Sequence, residues 1–141
     1  MLSDFQKLLA FPRENLIIEK ESEDYGALQF TLNNYRILFR VAKITPKKVG
    51  QFVTLWKRMN NGPIQPFDVD DPFDFIIIEI KSDRNMGHFI FPKNILCEKD
   101  IFSKNNKGGK RAMRVYAPWD KTDNKQALKT QAWQIKYFIG K

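Results

Sequence analysis

Glu79 and Lys81 stand two residues apart in the stretch "DFIIIEIK", Asp74 to Lys81, where a run of β-branched residues predicts a strand. A strand's period of two places their side chains on one face with Phe75 and Ile77. A carboxylate and a lysine so placed can hold one divalent ion and one phosphate. Oxygen ligands suit Mg²⁺ or Mn²⁺, the ion lowers the pKa of a bound water, and the lysine balances charge on the phosphoryl group. Asp71 and Asp74, just upstream, complete the candidate set. Solvated charges at a strand end have the same pattern, so no catalytic or metal-binding residue is assigned from spacing alone.

In outline this set resembles the PD-(D/E)xK nuclease superfamily. That pattern has its aspartate at the start of a neighbouring strand, whereas Asp68, Asp70 and Asp71 fall in the proline-bounded loop before the same strand. Other chemistries are excluded more simply. With one histidine, His88, and one cysteine, Cys97, no Cys/His zinc set can be assembled. A Ser-His-Asp triad would rest on a histidine inside an apolar hairpin strand, where His88 reads as structural. There is no Walker loop or Gly-x-Gly-x-x-Gly; "KGGKR" offers amides and cations to a phosphate without specific spacing.

A second constellation is basic and aromatic. The formal net charge is +8, and its distribution says more than the total. Residues 103–141 hold 10 Lys/Arg against 2 Asp/Glu, and from Tyr25 to Phe67 there is no acid at all. Arg36, Arg40, Lys43, Lys47, Lys48 and Arg58 fall in that acid-free stretch; Lys107, Lys110, Arg111, Arg114 and Lys129 fall in the basic C-terminal part. Cations contact phosphates, and exposed aromatics such as Trp133 give bases a stacking platform. Such a surface would bind DNA or RNA largely without sequence selectivity.

These residues need elements to position them. "DFQKLLAF" reads as a helix capped by Ser3 and stopped by Pro12, and "NLIIE" as a strand. "ALQFTL" and "YRILFRVAKI" flank Asn33-Asn34 as a hairpin, in which Arg36 and Arg40 share one face, the expected wet face. Thr45-Pro46 predicts a helix start running to about Asn60, with Val49, Phe52, Val53 and Trp56 as its core stripe and Lys47, Gln51, Thr54 and Arg58 opposite. "FDFIIIEIK" and "HFIFP" form a second hairpin across "SDRNMG". "CEKDIFSKNNKGGKR" reads as a flexible basic loop, followed by a strand "AMRVYAPW". "DNKQALKTQAWQIKYFIG" reads as a helix capped by Asp123 or Asn124 and ended by Gly140. Its expected core stripe is Leu128, Ala132, Ile135 and Ile139, with Trp133 and Tyr137 turned away. The order is one α+β domain over residues 1–141: a mixed or antiparallel sheet of hairpins framed by helices.

At 141 residues, with 12 Phe, 4 Tyr and 3 Trp, the chain can bury one core without disulfides or metals. A lone cysteine forms no internal bridge, and "MLSDFQKLLAFP" carries charge where a signal peptide needs an apolar run. No segment approaches the roughly 20 apolar residues that span a bilayer. The expectation is a cytoplasmic protein with no membrane partner.

The segments "FRVAKITPKKVGQFVTLWKR", "GPIQPFD", "GHFIFPK", "GKRAMRVYAPWD" and "KTQAWQIKYF" resemble the MepB family, small bacterial proteins encoded beside a multidrug efflux pump and its repressor. The resemblance runs from Tyr25 to Phe138. It implies a nuclease-like fold and nucleic-acid binding, and it places Arg40, Lys43, Lys47, Lys48, Lys110, Arg111, Arg114, Trp119, Lys129, Gln131 and Trp133 at matching positions; Glu79 and Lys81 lie outside these segments. The expected function is nucleic-acid binding with no cofactor and no obligate protein partner. One alternative is a Mg²⁺- or Mn²⁺-dependent nuclease; the other is a protein-interaction module linked to multidrug resistance.

Overall fold

Ile76, Ile77, Ile78 and Ile80 show no apolar-polar alternation, the pattern of a strand covered on both faces. The computed structural model describes residues 2–140, with side chains from residue 6 onward, and shows why. Helix α1 (Leu2–Leu9) leads to β1 (Glu14–Ile18), a 3-10 turn (Lys20–Tyr25), and the hairpin of β2 (Leu28–Leu32) and β3 (Tyr35–Val41). Asn33 and Asn34, with φ of 48° and 68°, supply the left-handed pair that a tight hairpin requires. Short strands β4 (Lys43–Ile44), β5 (Gln51–Thr54), β6 (Lys57–Arg58) and β7 (Ile64–Gln65) follow. Then come the hairpin of β8 (Phe75–Lys81) and β9 (Met86–Pro92), helix α2 (Lys93–Glu98), β10 (Ala112–Val115), helix α3 (Lys125–Gln134), a 3-10 turn (Ile135–Tyr137) and β11 (Phe138–Gly140).

The main sheet has the order β1-β2-β3-β8-β9-β11. Its neighbours are antiparallel except β3 and β8, which run parallel with Phe39 opposite Ile77 and Arg40 opposite Ile78. A parallel pair needs a crossover, and that crossover holds β4 to β7. Two of these strands, β4 and β5, form a second sheet with the later β10, in the order β10-β5-β4. Ile76, Ile78 and Ile80 meet Val53, Leu55, Leu96 and Val115 on one side of the main sheet. Ile77 meets Ile37, Phe39, Ile90 and Leu8 on the other, under α1. Each such side chain, fully buried, contributes about 1.5–3 kcal/mol. The α+β class with a mixed sheet is therefore as the sequence indicates.

Five local expectations are corrected by the structure. Residues 45–60 are not a helix: Gln51, Val53 and Leu55 are buried while Phe52, Thr54 and Trp56 are half-buried, a period of two. β5 pairs with β10 in the register Phe52–Arg114 and Val53–Met113, and this ladder overrides the Thr45-Pro46 cap signal. The expected wet face of β3 is a core face, since Leu38, Arg40 and Ala42 are all buried under the second layer. The basic loop is packed into the fold: Ile101, Phe102 and Ser103 are buried, and a Cβ at Gly109 would lie 2.8 Å from both Pro66 Cβ and the Ser103 amide nitrogen. Helix α3 ends at Gln134, and its inward residues are Ala127, Gln131 and Gln134, whereas Leu128 and Ile135 are exposed. Ser3 lies inside α1 instead of capping it.

Candidate functional site

The acids of the "DVDDP" loop are taken up by structure. The buried Asp68 carboxylate accepts from Ser103 Oγ at 2.6 Å, the Asp70 amide at 3.0 Å and the Asn106 amide at 3.1 Å. The Ser103 hydroxyl first, then the two amides, hold its pKa below the ordinary carboxylate value, against the opposing effect of burial. Asp71 accepts from Lys57 Nζ at 2.8 and 3.0 Å and from the Asp68 amide at 2.7 Å. Asp74 accepts from the Arg36 amide at 2.8 Å, fastening the start of β8 to β3.

Glu79 and Lys81 sit at the far end of β8, within 3.5 Å of each other, and Glu79 Oε1 also lies 3.1 Å from His88 Nε2. Five residues of strand separate Asp74 from Glu79, about 16 Å. The four nuclease candidates thus do not converge. Among the described residues no group of three or more His, Cys, Asp or Glu could hold a metal together.

The basic residues divide into two sets. Arg40 is fully buried and paired with Glu19, so it is no surface contact. Arg36 lies over the Phe73 ring at 5.3 Å and Lys43 over Tyr25 at 4.5 Å. Arg58 pairs with Glu21 at 3.0 Å, and Arg111 Nε donates to Ile64 O at 3.3 Å. Lys107 is exposed in a tight turn closed on Lys104, and Lys129 is exposed on α3. Trp119 is at the surface, edge-on to Phe138 at 5.5 Å. Gln131 is buried, donating Nε2 to Ala117 O and Asp120 O, both at 2.8 Å. None of these lines the feature described next.

Lys47, Lys48, Lys110, Arg114 and Trp133 come together around a groove of about 610 Å³. One wall is the loop 45–50, the floor is β10 with Ala112, Met113 and Arg114, and the other wall is α3 from its capped start to Trp133. Lys99 and Tyr116 complete it, and Asp123 is its single carboxylate. Gly50, at φ +83°, lets the loop fold back onto Tyr116; a Cβ there would lie 2.8 Å from Val115 O. Arg114 then clamps the loop, its Nη1 donating to Thr45 Oγ1 at 3.0 Å, Gly50 O at 3.2 Å and Val49 O at 3.3 Å. Across the groove, Gln134 behaves as a strand residue would. Its Oε1 accepts from the Tyr116 amide at 2.8 Å and its Nε2 donates to Arg114 O at 3.1 Å.

Lys47, Lys48 and Lys110 have no ion pair among the described residues; Arg114 fixes the loop that carries the first two, and the Lys110 amide donates to Ile101 O at 3.0 Å. Helix α3 adds its positive end: Asn124 caps it, accepting from the Ala127 amide at 2.8 Å, and the first turn lines the groove. Trp133 is half wall and half core. It packs on Phe91 at 5.3 Å between ring centres, with Lys99 Nζ 5.6 Å from its own. Sequence reasoning missed Lys99, Tyr116 and Thr130; Lys99 continues the basic run into the "CEKD" segment, the one signal that could have found it.

The fold and groove define a class: a small basic α+β domain with a six-stranded mixed sheet and a cation-lined groove in its second layer. The MepB-like family model matches residues 19–140. A solved structure, the crystal structure of MepB, superposes with a TM-score of 0.86 at 38% identity, over 91% of this chain and 86% of that one. No curated protein matches. The chain belongs to the MepB-like family. Among the described residues, no helix is long and apolar enough to cross a membrane.

Proposed function

We propose that the protein binds nucleic acid, DNA or RNA, through the groove between the loop 45–50 and α3, largely without sequence selectivity and in the cytoplasm. The observation that carries this reading is the set of Lys47, Lys48 and Lys110, without an ion pair among the described residues and held around one groove whose single acid among those residues is Asp123. Unpaired cations on a fixed frame suit a run of backbone phosphates, and Tyr116 and Trp133 beside them suit bases. Binding is favoured over cleavage because the candidate acids are split between the two ends of β8. A Mg²⁺- or Mn²⁺-dependent reaction would need a carboxylate set that Asp71 and Asp74 cannot form with Glu79. Fluorescence anisotropy with labelled single- and double-stranded oligonucleotides over a salt series tests the proposal. Affinity should fall steeply with salt, and no binding at low salt would sink it.

A further inference from the structure

Both walls of the groove are tied to one residue of its floor. The Arg114 side chain donates to Val49 O and Gly50 O in the loop wall, while the Arg114 carbonyl accepts from Gln134 Nε2 in the α3 wall. β10 is an edge strand of the second sheet, and Gln134 covers that edge as a neighbouring strand would. Walls anchored in this way cannot part without breaking those bonds. The floor is short as well. From Ala112 to Val115, opposite Thr54 to Gln51, β10 covers three strand intervals, about 10 Å. Lys110 precedes that stretch, and the loop of Lys47 and Lys48 closes on its far end, where Gly50 meets Val115 O. Cations therefore stand at both ends of a floor far shorter than one helical turn of duplex, about 34 Å. The volume, about 610 Å³, is that of a site for one drug-sized ligand, on the order of one or two nucleotides.

Two aromatic rings stand among these cations. Tyr116 lies against Gly50 at the loop wall, and Trp133 stands in the α3 wall with Lys99 Nζ 5.6 Å from its ring centre. Both are half-buried and line the groove. In a duplex each base face is covered by the next pair, and the grooves offer base edges alone. A ring set in a concave wall reaches a base face only where the strand is unpaired and its bases can be splayed out.

We infer that the groove selects single strands over duplex: it takes a few unpaired nucleotides, their phosphates on Lys47, Lys48 and Lys110 and their bases turned onto Tyr116 and Trp133. This assignment rests on the nucleic-acid reading above and narrows it to unpaired strands. Phosphates and base faces are common to DNA and RNA, so either sugar can supply them. A duplex keeps only the contacts that its phosphates make with lysines at the rim, and loses those of the rings.

Anisotropy of labelled single-stranded DNA and RNA, from a dinucleotide to a decamer, against a blunt duplex of the decamer's length, tests this at low salt with the full chain. The better of the two single strands should bind about tenfold tighter than the duplex, the effect of one or two stacked bases, and its affinity should rise to about the tetramer and level beyond it. Three neutralised phosphates of a single strand give a slope of log affinity against log salt of about −2. Binding should also quench the intrinsic tryptophan fluorescence, and Trp133→Phe, which keeps Trp56 and Trp119, should remove most of that quench. A duplex bound as tightly as the single strands overturns the selectivity and leaves the nucleic-acid reading standing. A quench that persists in Trp133→Phe, or an affinity that keeps climbing with length, overturns the placement of the strand in the groove. No binding of any oligonucleotide overturns the underlying reading and this one with it.

Discussion

The guanidinium of Arg40 meets the carboxylate of Glu19 in a two-pronged contact, Nη1 to Oε2 at 2.6 Å and Nη2 to Oε1 at 3.1 Å. Its Nε donates to Thr54 O at 3.2 Å, and Nη1 also reaches Phe39 O at 2.9 Å. One side chain thus ties the segment ahead of the first 3-10 turn, the central strand β3 and the second-layer strand β5 together, and Arg40 has no exposed surface.

Removing one member of a buried pair leaves the other charge desolvated and alone. Arg40→Ala should therefore destabilise the domain by about 3–5 kcal/mol, and Arg40→Lys should recover only part of that, because an ammonium cannot make the fork. Urea denaturation measures both. A loss below about 1 kcal/mol, as for an exposed pair, would contradict the role assigned here.

Lys47, Lys48 and Lys110 should behave oppositely. Replacing all three with Ala should leave the melting temperature nearly unchanged while weakening oligonucleotide binding, and the slope of log affinity against log salt should shrink by about two to three units. Anisotropy titrations on the triple variant read this slope. An unchanged slope would remove the groove from the binding surface.

The loop 45–50 offers a test of positioning against charge. Arg114→Lys keeps the cation but cannot serve Thr45 Oγ1, Val49 O and Gly50 O at once, so affinity should fall with the number of charges unchanged. Gly50→Ala should cost more than about 1 kcal/mol, since alanine must adopt a left-handed φ and its Cβ would press on Val115 O. Melting temperature and affinity measured on both variants separate the loop's folding from its contribution to binding.

Much of the main sheet was legible because its signals are local. Asn33-Asn34 marks a hairpin by itself, the isoleucine run of β8 marks a buried strand, and Asn124 marks the start of α3. The groove was half legible: five of the predicted cations and aromatics line it, but which ones depended on partners far along the chain. Residues 45–60 carry both a capped start and helical apolar spacing; the ladder of β5 with β10, some sixty residues on, decides for strand. Gly50, a poor interior helix residue, was the overlooked warning. Arg40 was misplaced for a physical reason. It is polar but fully satisfied by backbone oxygens and a carboxylate that only the folded chain brings near, so periodicity alone assigned it to solvent.

Acid response should separate two aspartates of opposite sign. Hydrogen bonds lower the folded pKa of Asp68, so its stabilising contribution is complete above the ordinary carboxylate pKa, about 3.9, and is lost as pH falls through the depressed value. Burial raises that of Asp120, although the Ala117 amide donates to it at 2.8 Å. Its ionisation therefore costs stability at neutral pH, and the cost disappears as pH falls through the raised value. Asp68→Asn should lower stability at neutral pH and flatten the acid limb, whereas Asp120→Asn should match or exceed the wild type at neutral pH. Thermal melts from neutral to acid pH distinguish them.

Trp133 joins the core to the groove, and two variants divide its roles. Trp133→Ala removes the ring that packs on Phe91 and opens space between α3 and the main sheet; full burial would make this about 3–5 kcal/mol, and the groove-facing half keeps the expected loss toward the lower end. Affinity should fall as well, because the wall of the groove moves with α3. Trp133→Phe retains a ring against Phe91 while shrinking the face offered to the groove and to Lys99. Its melting temperature should stay near wild type. If the aromatic face stacks on bases, worth about 1–3 kcal/mol each, its affinity should drop with no change in the salt slope, since no charge has been removed. A Trp133→Phe protein with wild-type affinity and stability would assign Trp133 to packing alone, leaving the lysines and Tyr116 to carry any binding in the groove.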